Sequence, residues 1–130
     1  MKLADTALSV LAAQLRDEDT PISPHVAEPR PDSAFAPEGE YALVIEAVRE
    51  GYLLHYGEPR LLAGHDEDLA LLAGDYLYAL GIERLARLGD TAAVHVLADL
   101  IATCARLHTE RREDEVPTVW ESAVQAIVRT

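Results

Sequence analysis

Lysine is almost missing from this sequence: Lys2 stands alone against ten arginines, and twenty-three acids bring the net charge to −12. The densest basic stretch is Arg106, Arg111 and Arg112, and Glu113, Asp114 and Glu115 follow it at once. Nucleic-acid binding draws its affinity from neutralised phosphates, so this balance excludes it as a first reading. Cysteine is reduced to Cys104, which rules out an internal disulfide and fits a reducing, cytoplasmic setting. Long apolar runs are lacking too, and none reaches the roughly 18 to 20 residues of a membrane span. The N-terminus, MKLADTALSVLAAQLRDEDT, is broken by Asp5 and has no small-residue cleavage site. It reads as an ordinary helix rather than a signal peptide.

What is present is alanine, leucine and glutamate. With 49% hydrophobic residues, 130 residues suffice for one domain with a real core. Arginine in place of lysine suggests a GC-rich bacterial genome. Five helices can be drawn and no strand pattern competes, so the fold class is all-α. A first helix covers about residues 2–16, with Leu3, Leu8, Val10, Leu11 and Leu15 as its apolar face. Residues 17–39 carry five of the seven prolines, which forbid a helix. They form either a disordered tether or an arm anchored by Ile22, Val26 and Phe35. The expected helical bundle is 40–130. Its first helix runs over 40–57 and is stopped by Gly57-Glu58-Pro59. The next opens at the acids 66–68 and ends at Gly89. Asp90 caps the fourth. Thr118-Val119-Trp120-Glu121 has the spacing of a capping box and opens the fifth.

The third helix contains LLAGDYLYALGIERLARLGD. From Leu69 to Ile82 its only non-apolar side chains are Asp75 and the hydroxyls of Tyr76 and Tyr78. A helix apolar all round must be covered all round. Four other helices can barely do that, so a second copy of the chain is expected to supply cover. Gly74 and Gly81 share a face and would admit a close helix backbone. Asp75 then reads as a buried polar clasp, held by a tyrosine hydroxyl, an amide or a partner's arginine.

That helix resembles the LAGDYLLA…LGD helix of the trans-prenyl diphosphate synthases. Gly57-Glu58-Pro59 is similar to the G-K-P that follows their first aspartate-rich motif. The similarity covers about residues 41–110. The resemblance implies an all-α bundle like the central helices of the isoprenoid synthase fold, dimerisation through this region, and isoprenoid chain building. In that family two aspartate-rich motifs hold Mg²⁺ against a diphosphate leaving group. It implies a structural place in the bundle for Asp75.

The match fails at the motifs. Where the first should lie, residues 46–50 read Glu-Ala-Val-Arg-Glu. Glu46 and Glu50 share a helix face, but Ala47 replaces an aspartate, and His55 and Tyr56 replace the arginines that follow. The second motif has no counterpart. Of the basic residues that grip a diphosphate, only Arg60 is a candidate. The residues themselves leave two readings of Glu46 and Glu50: a remnant metal site, with Asp68 as a third acid, or a solvated helix face beside Arg49. Asp66, Glu67 and Asp68 are otherwise ordinary helix-start acids. His95, Asp99, Thr103 and Arg106 read as one polar stripe, and Cys104 as a buried thiol. His55, His65 and His108 lack ligand spacing.

The expectation is therefore a non-catalytic, prenyl-synthase-like helical protein without a cofactor. It would act as a homo-oligomer or as companion to a full-length prenyl synthase subunit. The alternative is a small Mg²⁺-dependent binder of isoprenoid diphosphates, or an enzyme acting on them, using Glu46, Glu50 and Asp68.

Overall fold

The computed structural model describes residues 6–129. Within them the chain is all-helical. It has α1 (Ala7–Asp17), α2 (Ala42–Tyr56), α3 (Glu67–Arg87), α4 (Thr91–Thr109) and α5 (Val116–Val128), with short 3₁₀ turns at Ser23–His25 and Glu113–Glu115. The only β feature among these residues is one antiparallel bridge between Val26 and Leu62. Among the described residues no helix is long and apolar enough to cross a membrane. The chain divides into two compact units, and the division falls inside α3, between Gly81 and Ile82.

In the first unit, the Thr6 hydroxyl caps α1 by accepting from the Ser9 amide at 3.1 Å. Leu8, Leu11, Ala12 and Leu15 recur at helical spacing and are buried, and α1 packs on α2. Val10, expected on that face, is 46% exposed; Leu3 lies outside the described residues. Leu8, Leu11, Leu15, Ile22, Ala47, Leu54, Leu61, Leu62, Ala73 and Leu77 form one apolar core. The proline-rich segment is an arm on this core rather than a tether. Ile22 is buried in the core and Val26 packs against it. The Ala27 amide donates to the Leu61 carbonyl at 2.6 Å, and the Ala63 amide to that of His25 at 2.9 Å.

The helix covered on all sides is α2, not α3. Val44, Ile45, Ala47 and Val48 are consecutive or nearly so, and each is at most 2% exposed. On α3 the helices of this chain leave Leu71 and Leu72 51% and 61% exposed.

In the second unit, α4 packs on α5. Ala93, Leu97, Leu100, Cys104 and Leu107 are buried on α4, and Val116, Trp120, Ala123 and Ile127 on α5. Both sets step by three and four, the spacing of a seam between two helices. His95, Asp99 and Arg106 are exposed, as a polar stripe requires. The Asp90 carboxylate caps α4 by accepting from the Ala93 amide at 3.0 Å, and Gly89 takes the left-handed φ of +76° that ends α3. The expected capping box at Thr118 is not used. α5 begins two residues earlier, at Val116, with Pro117 in its first turn, where a missing amide hydrogen leaves no bond unmade.

Candidate functional site

Glu46 and Glu50 stand one turn apart on α2 and are 1% and 0% exposed. The expected solvated face is therefore wrong. Two buried carboxylates require donors, and the chain brings them from both sides. Pro59 ends the turn after α2, and Arg60 folds back over the helix. Its Nη1 donates to Glu46 Oε1 at 2.7 Å and its Nε to Glu50 Oε1 at 2.9 Å. Glu50 Oε2 accepts from the amides of Arg60 and Leu61, each at 2.8 Å. Glu46 Oε2 accepts from the amides of Phe35 and Ala36 in the arm, at 2.7 and 3.1 Å. Arg60 also donates from Nη1 to the Ser33 carbonyl at 3.0 Å and from Nη2 to that of Glu46 at 3.3 Å.

Each of the four carboxylate oxygens thus has at least one donor. The cation between the glutamates is a guanidinium, whose planar fork reaches both. Chemically this is a clasp: it ties the arm and the 57–61 turn to α2. Arg49 lies 4.3 Å over the Phe35 ring and 5.4 Å from that of Tyr52, adding a second hold on the arm. A groove of about 560 Å³ runs beside the clasp, lined by residues that include Glu28, Arg30, Asp32, Glu58 and Arg60. Arg60 is engaged with the two glutamates and with carbonyls, so it is not the free diphosphate grip it could have been.

A second constellation joins α2 to α3. A methyl on Gly51 would lie 2.9 Å from the Gly74 carbonyl oxygen, and one on Gly74 would lie 2.6 Å from the His55 ring. The helix backbone that Gly74 admits is therefore α2 of the same chain. His55 stacks on Tyr78, with ring centroids 5.3 Å apart and planes 9° from parallel. Its Nε2 lies 3.1 Å from Asp75 Oδ1. Asp75 does have a polar partner, but its side chain is 75% exposed. It is not buried, because the apolar side chains beside it on α3 face outward.

The remaining candidates scatter. Tyr76 donates its hydroxyl to Glu18 Oε1 at 2.7 Å, Gly81 is buried, and Asp68 is exposed in the first turn of α3. No group of three His, Cys, Asp or Glu side chains among the described residues is arranged to hold a metal ion. Sequence reasoning missed the part Arg60 plays. The available signal was an arginine directly after a helix-ending Gly-Glu-Pro, ten and fourteen residues from two acids on one face.

Among known proteins, the chain is 35% identical over 74 residues to heptaprenyl diphosphate synthase component 2 of Geobacillus stearothermophilus. The match takes in 57% of this chain and 23% of that protein, so the chain spans about a quarter of its relative. No family model matches the chain. No solved structure matches it either. The likeness supports a prenyl-synthase-like relationship over part of the chain.

Proposed function

We propose that the protein is a non-catalytic, prenyl-synthase-like helical module that works by assembly, as a homodimer or as companion to a full-length prenyl synthase subunit. The observation that carries this reading is the clasp. Glu46 and Glu50 lie where the resembled enzymes place their first metal-holding acids. Here they are buried and given to Arg60 and four backbone amides. Prenyl transfer separates a diphosphate anion from an allylic cation, and metals held by several carboxylates must offset that charge. A carboxylate pair already neutralised by an internal guanidinium is a poor place for Mg²⁺. The name of the similar protein, a numbered component of a synthase, supports action within an assembly.

The test is an incubation of the purified chain with Mg²⁺, isopentenyl diphosphate and an allylic diphosphate. No elongated product is expected from the chain alone. Mg²⁺-dependent elongation that vanishes in Glu46→Gln would instead establish the small diphosphate-using enzyme. Elongation only after a synthase subunit is added would select the companion role over the inert dimer.

A further inference from the structure

The clasp consists of two latches that share one arginine. Glu50 Oε2 accepts from the amides of Arg60 and Leu61, both in the turn after α2. Glu46 Oε2 accepts from the amides of Phe35 and Ala36, both in the arm. The Arg60 guanidinium touches both carboxylates, through Nε on Glu50 and Nη1 on Glu46. The turn is backed by apolar packing, since Leu61 and Leu62 are 0% and 5% exposed in the core. The arm is not backed in this way. No residue from 27 to 41 is buried. Its ties to the clasp are polar: the two amides, the Ser33 carbonyl on Arg60, and the Phe35 ring under the Arg49 cation. We propose that residues 31–41 are a strap that opens by itself, turning Glu46 from an enclosed acceptor into an accessible carboxylate while Glu50 stays shut. This goes beyond the function proposed above and holds for either form of it.

Both ends of the strap can pivot. Upstream, the bridge from Val26 to Leu62 and the Ala27 amide on the Leu61 carbonyl fix the chain. Beyond them Arg30, Pro31 and Asp32 are exposed. Downstream, residues 37–40 are all exposed. Among them Gly39 has a φ of +144°, and a Cβ there would meet nothing within 4 Å. The two latches also differ in what opening leaves behind. With the strap lifted, Phe35 and Ala36 donate to water instead, an exchange of small net effect. Glu46 gains water in place of two amides and keeps Arg60 Nη1 at 2.7 Å. Arg60 keeps Glu50 and gives up the Ser33 carbonyl. Lifting the turn would instead draw Leu61 and Leu62 out of the core. It would also strip Glu50, 0% exposed, of the amides of Arg60 and Leu61 and of the guanidinium together. The Glu46 latch is therefore the one that opens.

Carboxyl labelling tests this, because it reads the two glutamates separately. The folded chain is treated briefly with a carbodiimide and glycine ethyl ester, and initial rates at single residues come from peptide mass mapping. Glu38, exposed whether the strap is open or closed, is the reference. Glu46 and Glu50 are equally enclosed, at 1% and 0% exposure, so static burial gives them equal rates. The strap makes Glu46 the faster of the two in the wild type. Ala36→Pro removes one of the two amides without touching α2 or Arg60. It should raise labelling of Glu46 several-fold, with Glu50 and the helical circular dichroism unchanged. Phe35→Ala, which removes the ring under Arg49, should move Glu46 in the same direction. Equal rates at Glu46 and Glu50 in the wild type, or a rise at both in the variants, would mean that the clasp opens as one body and would overturn the proposal. Glu46 silent in the wild type and in both variants would overturn it too, because the strap then stays closed.

Discussion

Gly51 of α2 and Gly74 of α3 pack so closely that a Cβ on Gly51 would sit 2.9 Å from the Gly74 carbonyl oxygen, and one on Gly74 3.1 Å from that of Gly51. The pair sets the separation of the two helices. Alanine would favour helix at either position by about 1 kcal/mol, but overpacking costs about 1–3 kcal/mol. Gly51→Ala should therefore destabilise, because its clash is with backbone. Gly74→Ala should lose less, since the His55 ring, only partly enclosed, can swing aside. Urea midpoints would show the order; a stabilised Gly51→Ala would refute the close contact.

Arg60→Met should be among the most damaging substitutions in the chain. It leaves two carboxylates at 1% and 0% exposure without their cation, a loss of about 3–5 kcal/mol for a broken buried pair. Glu46→Gln should cost less, because its amide oxygen can still accept from Phe35 and Ala36. Equilibrium denaturation of both variants checks the ranking.

Asp75→Asn should change stability by under about 1 kcal/mol, since a side-chain contact with one member largely in water contributes little. Loss of several kcal/mol would mean that Asp75 is enclosed after all.

The Glu115 carboxyl is held below its ordinary value of 4.5, first by its hydrogen bonds from Arg112. Because the folded value is the lower one, this contact stabilises above about pH 4.5 and is lost as pH falls through the folded value. Glu115 is exposed, so the effect belongs to the titration curve more than to the melting temperature. Carboxyl NMR should show Arg112→Gln moving Glu115 back up.

The helices were legible because their signals are local. Asp90, Gly89 and Pro59 each stop or start a helix through their own backbone or the amide next door, and the structure uses all three. The fifth start was misplaced because two local signals competed. Pro117 already fits a first turn, so the Thr118 box had nothing left to cap. The clasp was hidden for the opposite reason. Arg49 is the obvious neighbour of Glu46 and Glu50 along the chain, but it turns to Phe35 and Tyr52. Their true partner returns only after the turn, and two of the three donors to the Glu46 carboxylate come from the arm. Asp75 misled through periodicity: apolar residues on every side of a helix imply cover, not whether the same chain supplies it.

The arm's attachment to α2 runs through the amides of Phe35 and Ala36, which donate to the Glu46 carboxylate. This end of the arm should be the first part to let go, because local opening follows the elements with least buried apolar contact. Amide exchange at Phe35 and Ala36 should then outpace that of the α2 interior. A glutamate-specific protease should cut after Glu38, which is exposed and followed by Gly39, while the helices behind it remain folded.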